Sequence, residues 1–203
     1  MRKILASLAM IAMASAVAVG ATKAYFSDTE TSNSNTFSAG SLDLTVDGNN
    51  GTNTVKFTVN NMRPGDQPTG SWTLANVGTI NGYLDLKNIT VTNNENGCTE
   101  PEIEAGDNTC GAPGAGLGEL QDVVNLRLYI DKDKDGYWST GDVMIYNGLV
   151  GGIAGSYNQN ELIAAGSNVR INAVFDWWNT PNDNKAMGDD MTLNMTFDLS
   201  QNQ

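Results

Sequence analysis

The segment Met191-Thr-Leu-Asn-Met-Thr-Phe-Asp-Leu199 alternates strictly between apolar and polar side chains. Successive side chains of an extended strand point to opposite faces, so one face of this segment is apolar and the other is polar. The pattern predicts a β-strand that packs on a hydrophobic core with its other face in solvent. It decides the fold class, because the same period recurs along the chain.

Period-two alternation is found in four further segments of the sequence. They are Leu42 to Val46, Val55 to Val59, Leu126 to Ile130 and Val169 to Phe175. Turn-forming residues separate these runs, as at Asp47-Gly48, Arg63-Pro64-Gly65-Asp66 and Asn81-Gly82. About eight short strands with such punctuation predict an all-β domain, a two-sheet β-sandwich of the jelly-roll type.

Two segments depart from this simple pattern. The apolar residues between Leu84 and Val91 change parity midway, which predicts a bulge or kink near Lys87-Asn88. The residues from Gln159 to Ala165 are the one helix candidate that the sequence offers.

The first 24 residues have the composition of an export signal. Arg2 and Lys3 precede an apolar run from Ile4 to Val19, and Thr22 and Ala24 are small residues before a predicted cut. A helix of that run would span about 24 Å, less than the roughly 30 Å of a bilayer's hydrocarbon core. We therefore expect a signal peptide at residues 1–24 that signal peptidase removes, no membrane anchor in the mature form, and a secreted protein.

The mature chain is expected to comprise an extended N-terminal segment, residues 25–40, and a β-sandwich domain, residues 41–203. Without Arg2, Lys3 and Lys23 it carries 8 basic and 23 acidic residues, a net charge of −15. Such a surface repels phosphate backbones and attracts divalent cations, so we expect no nucleic-acid partner.

Three segments of the sequence carry a resemblance to a known family. The first combines Tyr25-Phe-Ser-Asp28 with Phe37-Ser-Ala-Gly-Ser-Leu-Asp-Leu44. The second is Val59-Asn-Asn-Met-Arg-Pro-Gly-Asp66 followed by Trp72-Thr-Leu-Ala-Asn-Val-Gly78. The third is Leu128-Tyr-Ile-Asp-Lys-Asp-Lys-Asp-Gly136 with Gly141-Asp142. Together they resemble the TasA/camelysin (CalY) family of secreted biofilm-matrix fibre proteins, which includes archaeal bundling-pilus subunits.

The resemblance implies a self-assembling filament subunit. In these fibres the segment that signal cleavage frees leaves its own domain and completes a sheet of the next subunit, which is donor-strand complementation. The residues that the resemblance assigns to polymerisation are Tyr25, Phe26, Ser27, Asp28, Thr29 and Glu30. An ordinary flexible N-terminal tail is the alternative interpretation of residues 25–36.

The segment Asp131 to Asp142 has the ligand spacing of an EF-hand calcium loop. Counted from Asp131, acidic residues stand at positions 1, 3, 5 and 12, Gly136 stands at 6 and Ser139 at 9. The predicted Ca²⁺ ligands are Asp131, Asp133, Asp135, the backbone carbonyl of Tyr137, Ser139 and Asp142. The last ligand is Asp where the EF-hand has Glu, and the entering segment is predicted to be a strand. A solvated acidic turn, in which Lys132 and Lys134 reduce the repulsion, remains the alternative.

Three smaller features complete the sequence. Cys98 and Cys110 lie in a loop rich in Asn, Gly and Pro. In an exported protein, two cysteines at this spacing are expected to form a disulfide. The alternative is two free thiols or half of a metal site. Trp177 and Trp178 end a strand, so one should face the core and the other solvent. N-glycosylation sequons begin at Asn50, Asn88 and Asn194.

Two other function classes compete with the filament subunit. A camelysin-type metallopeptidase is disfavoured, because the chain has no histidine and so no His-Glu-x-x-His zinc helix or histidine-based triad. We therefore expect no enzymatic activity. A monomeric, calcium-stabilised carbohydrate-binding or adhesion module is the second alternative, with an exposed tryptophan as its sugar platform.

Overall fold

The computed structural model describes residues 39–51 and 62–201. The predictions for the signal peptide, for Tyr25 to Glu30 and for the strand at residues 55–59 lie outside the described residues.

The described residues form nine β-strands and two short α-helices. The strands are β1 Leu44–Val46, β2 Thr69–Asn76, β3 Gly82–Glu95, β4 Gly114–Ala115, β5 Val124–Asp131, β6 Val143–Leu149, β7 Tyr157–Ile163, β8 Asn168–Trp177 and β9 Asp190–Ser200. The helices are α1 Glu100–Ala105 and α2 Leu120–Val123, and 3₁₀ turns lie at Val150–Gly152 and Asp183–Ala186. Within the described part of the chain, no helix is long and apolar enough to cross a membrane.

The strands form two antiparallel sheets. The first has the order β1-β2-β8-β5-β6, and the second is built on β3. One edge of β3 pairs with β9 over most of its length, while β7 and β4 pair with the two ends of the other edge. The structure confirms the predicted all-β, two-sheet sandwich.

The core lies between the two sheets and is filled by the apolar faces that the alternation predicted. Leu74 of β2, Leu84 and Leu86 of β3, Leu128 of β5 and Ile171 of β8 are all 0% exposed. Burial of a side chain of this size stabilises the fold by about 1.5–3 kcal/mol. The alternating segments therefore supply most of the driving force that holds the sheets together.

The predicted irregularity in β3 is confirmed. The register between β3 and β9 shifts between Lys87 and Thr90. Asn88 has a φ of 51°, in the left-handed region that asparagine tolerates better than most residues. The shift turns Ile89 towards the core, where it is 6% exposed, and so corrects the change of parity that the sequence shows.

The helix predicted from Gln159 to Ala165 is wrong. Residues Tyr157–Ile163 form strand β7, which pairs with the N-terminal part of β3. The side chains of this segment have no strong preference for either structure, so pairing with an available strand edge decides its conformation.

Trp177 and Trp178 separate as predicted, with exposures of 2% and 64%. Trp177 Nε1 donates a hydrogen bond to Asp183 Oδ1 at 2.9 Å, and Thr180 N–H donates to Asp183 Oδ2 at 2.8 Å. Burial alone would raise the pKa of Asp183, but the hydrogen bonds from Thr180 and Trp177 keep this pKa below its ordinary value of 3.8.

Replacing Leu128 by alanine should lower the free energy of unfolding by about 2–5 kcal/mol, because the change leaves a cavity at a fully buried site. The matched control is Leu162→Ala on β7, since Leu162 is 49% exposed. Urea titration of both variants measures the difference. Equal losses for the two leucines would contradict the assignment of the core.

Asp183→Asn should destabilise the protein by about 1–3 kcal/mol near pH 6, because the amide opposes the N–H of Thr180. Since the folded pKa of Asp183 is lowered, its contribution is present above pH 3.8 and is lost as the pH falls through the folded value. The stability gap between wild type and variant should therefore narrow below pH 3.8 in thermal melts. A gap that is the same at every pH would contradict this interpretation.

Candidate metal sites

The connection between β5 and β6 begins at Asp131, whose side chain is 0% exposed. Asp131 Oδ2 accepts hydrogen bonds from the N–H of Gly136 at 2.9 Å and from Asn172 Nδ2 at 2.8 Å. Gly136 has a φ of 90°, which a glycine adopts without strain, and it turns the chain back beneath Asp131. The loop thus closes around a carboxylate fixed at the end of a core strand.

Three of the predicted ligands meet in this loop. One carboxylate oxygen from each of Asp131, Asp133 and Asp142 lies within 4.8 Å of the other two. The N–H of Lys132 donates to Asp142 Oδ1 at 2.8 Å, so the second and last residues of the loop are joined. This group of three carboxylates is called the loop site below.

The other predicted ligands surround the loop site less directly. Ser139 donates its N–H to Asp142 Oδ2 at 2.7 Å and its hydroxyl to Asp133 Oδ2 at 3.3 Å. Asp135 is exposed, does not belong to the group of three, and accepts from the N–H of Tyr137 at 2.7 Å. The ring of Tyr137 is 76% exposed.

The two lysines of the loop bond to groups outside it. Lys132 Nζ pairs with Glu161, and Lys134 Nζ donates to Asn168 Oδ1 at 2.6 Å. Among the described residues, Arg170 is the basic residue that pairs with the loop site, with Nε 3.9 Å from Asp131 Oδ2. One guanidinium at that distance balances only part of the charge of three carboxylates.

One oxygen of the loop site is buried without a partner in the structure. Asp131 Oδ1 accepts no hydrogen bond, whereas Oδ2 of the same carboxylate is bonded. Burial alone would raise the pKa of Asp131, but the hydrogen bonds from Gly136 and Asn172 hold this pKa below its ordinary value. The group is thus held as an anion with one oxygen available to a cation.

A second carboxylate group, which was not predicted from the sequence, lies at the other end of the sandwich. It consists of Glu95, Glu102, Asp107, Glu119 and Asp189, called the acidic cluster below. One oxygen from each of Glu95, Glu102 and Asp189 lies within 4.8 Å of the others, and the same holds for Glu95, Asp107 and Glu119. The five residues are spread over 95 positions, so no local spacing could have indicated the group.

Mutual repulsion is visible in the acidic cluster. Burial and the charges of Glu95, Glu119 and Glu102 raise the pKa of Asp189 to about 7, although the N–H of Glu119 donates to its carboxylate. Burial and the charges of Asp107 and Glu95 also raise the pKa of Glu119. Both shifts arise from burial and from carboxylates that lie close to one another.

The predicted disulfide between Cys98 and Cys110 is present, with a Cα–Cα distance of 4.5 Å. It closes the loop that contains α1, and the three acidic residues Glu95, Glu102 and Asp107 lie in or beside this loop. The bond therefore limits how far these carboxylates can move apart.

The asparagines of the three sequons, Asn50, Asn88 and Asn194, are exposed. Asn50 Nδ2 donates to Asp43 Oδ1 at 2.8 Å, while Asn88 stands at the bulge of β3 and Asn194 on the outer face of β9. Their glycosylation stays a prediction.

Comparison with known proteins gives one family. The model of a family described as Camelysin metallo-endopeptidase matches residues 1–111, more than half of the 203 residues. The match ends before the loop site and includes three residues of the acidic cluster. A search of curated proteins found no significant match.

The family description implies a catalytic metal ion. This chain lacks the residues that would hold such an ion in a zinc enzyme. Catalytic zinc is held mainly by histidine and cysteine. The chain has no histidine, and both cysteines are joined in the disulfide. The remaining charged ligand groups are carboxylates, which do not reproduce that ligand set.

The Pro-Gly-Asp and Asn-Val-Gly segments lie at the two ends of β2, within the matched region. The chain belongs to the TasA/camelysin family.

Proposed function

We propose that the protein is a secreted structural subunit that polymerises head-to-tail into extracellular filaments by donor-strand complementation. Members of the family are extracellular or cell-surface proteins. The N-terminal segment after Ala24 is the donor, and Tyr25 and Phe26 are its apolar anchors. Main-chain hydrogen bonds to a strand edge of the neighbouring subunit supply the register.

The observation that carries this proposal is the incomplete cover of β9. Its inward-facing residues are all partly buried and contact the core, whereas their counterparts on β5 and β8 are almost fully buried. The five half-buried residues are Met191, Leu193, Met195, Phe197 and Leu199. Among the described strands, β9 pairs only with β3, so a further strand along residues 191–199 would both cover this row and extend the sheet.

Two segments outside the described residues have a composition suited to that position. One is the alternating segment 55–59 of the same chain, and the other is the N-terminal segment of a neighbouring copy. We assign the edge to the neighbour's segment, because its Ser-, Thr- and Asn-rich sequence gives it little reason to fold on its own domain, while Tyr25 and Phe26 supply apolar side chains for the row. An insertion of this kind is heterologous and does not close, so it produces a fibre.

A variant that begins at Ser38 should remain folded but monomeric, while the mature chain that begins at Tyr25 forms filaments. The reason is that only the longer chain has a donor for its neighbour. Circular dichroism, size-exclusion chromatography and negative-stain electron microscopy measure folding, mass and assembly. Filaments from the shorter variant would refute donor-strand complementation by this segment.

A synthetic peptide of residues 25–37 provides the matching control. Added to the shorter variant, it should bind and raise the melting temperature, and a scrambled peptide of the same composition should not. If residues 55–59 of the same chain fill the edge instead, neither peptide will bind.

We also propose that the loop site binds Ca²⁺ and stiffens the β5–β6 connection. Carboxylate and hydroxyl oxygens suit a hard cation. The buried Oδ1 of Asp131 supports this function over a bare acidic turn, because an uncompensated buried carboxylate oxygen is costly. Trp138 packs edge-to-face on Tyr129 at 5.4 Å between ring centroids, so an optical probe stands within the loop.

Calcium added to chelator-treated protein should raise the melting temperature, and Asp142→Asn should remove the part of the rise that belongs to the loop. Asp135→Asn is the matched control, because Asp135 lies in the same loop but outside the group of three. The part of the sensitised terbium emission that Trp138→Phe removes reports the loop separately from other sites. Equal terbium emission from wild type and Asp142→Asn would remove the calcium proposal.

A monomeric adhesion module is the second candidate function, and Trp178 is the observation that favours it. This ring is 64% exposed at the end of β8, as a sugar-stacking platform requires. Trp178→Ala should abolish polysaccharide binding if this function is correct and should leave filaments intact if it is not. No catalytic role is proposed.

A further inference from the structure

The five carboxylates of the acidic cluster share one hydrogen-bonding arrangement. In each carboxylate, one oxygen accepts a hydrogen bond and the other is buried without a partner. The unpartnered oxygens are Glu95 Oε2, Glu102 Oε1, Asp107 Oδ2, Glu119 Oε2 and Asp189 Oδ1. Buried polar oxygens without partners are rare in folded proteins, and five on neighbouring carboxylates indicate that a partner is missing.

Short local contacts fix the other oxygen of each group. Glu95 Oε1 accepts from the N–H of Gly97 at 2.6 Å, and Glu102 Oε2 accepts from the N–H of Thr99 at the start of α1. Such bonds orient a carboxylate without neutralising it.

The remaining members are held in the same way. Thr109 donates its N–H to Asp107 Oδ1 at 2.8 Å and its hydroxyl to Glu119 Oε1 at 2.7 Å. The N–H of Glu119 in turn donates to Asp189 Oδ2 at 2.6 Å. The five side chains are therefore positioned before any ligand arrives.

Two of the five carboxylates are buried too deeply for a solvated acidic surface, while Asp107, Glu119 and Asp189 are half-buried. Glu102 is 0% exposed and Glu95 is 2% exposed. None of the ion pairs between described residues involves the five carboxylates. The positive charge of Lys185 acts on Asp107, whose pKa it helps to lower. Several buried carboxylates with so little compensation would repel one another strongly.

We propose that the acidic cluster is a second calcium site, in which the unpartnered oxygens coordinate Ca²⁺. The ion binds six to eight oxygens at about 2.3–2.6 Å, so two ligands on opposite sides lie about 4.8 Å apart. The separations within both groups of three fall inside this limit. Glu95 belongs to both groups and is the central ligand.

The chemistry of the donors selects the ion. The cluster offers only carboxylate oxygens, which suit calcium better than zinc or copper, because these metals prefer nitrogen and sulfur. Magnesium keeps several of its own waters and an octahedral shell, which a closed group of carboxylates fits poorly.

The site would lock one end of the second sheet. The last pair between β3 and β9 is Asn94 with Asp190, so Glu95 and Asp189 are the next residues of these two strands. An ion held by Glu95 and Asp189 fixes the end of this ladder, and Glu102 attaches α1 to it. Because this role concerns the stability of one subunit, it does not depend on filament assembly.

The test uses the mature full-length protein after chelation, with Asp142→Asn as a background that silences the loop site. Isothermal titration with CaCl₂ should still detect at least one ion in this background, and Ca²⁺ should raise the melting temperature by roughly 5–10 °C. Adding Glu102→Gln or Glu95→Gln should weaken the remaining affinity about tenfold or more.

Glu104→Gln is the matched control, because Glu104 lies exposed on the same helix as Glu102. Without calcium, Glu102→Gln should melt at the wild-type temperature or above it, since it removes a repelled charge and keeps an acceptor for Thr99. A purely structural role for Glu102 would instead lower the melting temperature equally with and without calcium.

Two results would overturn the inference. One is the absence of calcium binding in the Asp142→Asn background, which needs no change in the cluster itself. The other is unchanged affinity in both Glu102→Gln and Glu95→Gln. If the wild type and Asp142→Asn bind calcium alike, the loop proposal fails and the acidic cluster stands.

Discussion

The backbone pairing of β3 holds the second sheet together, because β9 occupies one of its edges while β7 and β4 share the other. A strand of 14 residues stays in register over that length only if its core face remains continuous. The bulge at Asn88 achieves this by restoring Ile89 to the core after the parity changes. The same strand then delivers Glu95 to the acidic cluster, so sheet register and carboxylate positions depend on one element.

Most of the fold could be predicted from the sequence, because alternation of side chains is a local property. The two-sheet sandwich, the bulge and the opposite directions of Trp177 and Trp178 all follow from the two-residue period of a strand. Residues 157–163 could not be predicted, since their polar and apolar residues do not alternate and only contact with β3 decides their structure. Pairing order is likewise a long-range property that no local pattern contains.

The two candidate metal sites differ in the same way. The predicted ligands of the loop site lie within twelve consecutive residues, so their spacing could be recognised in the sequence. The structure brings together only Asp131, Asp133 and Asp142. The acidic cluster is assembled by the end of β3, by α1 and the turn after it, by the residue before α2 and by the turn before β9. The one local indication in the sequence is Glu102, three residues after Thr99 at the start of α1. One oxygen of Glu102 accepts a hydrogen bond from the N–H of Thr99, and the other oxygen has no partner.

Both candidate sites offer only oxygen donors. This distinguishes the chain, which has no histidine, from the zinc enzyme that the family description suggests. Carboxylate groups of this kind bind hard cations, and a bound cation holds chain segments together by its charge. Such a site does not replace a catalytic zinc ion with nitrogen ligands. The loop site joins two strands of the first sheet, and the acidic cluster joins the last residues of the β3–β9 ladder in the second. If β9 receives a neighbour's strand, its inner partner must already be fixed in register, since a slip of one residue would turn every apolar side chain of the row outward. A cation at Glu95 and Asp189 would prevent that slip at the end of the ladder where the disulfide-closed loop begins.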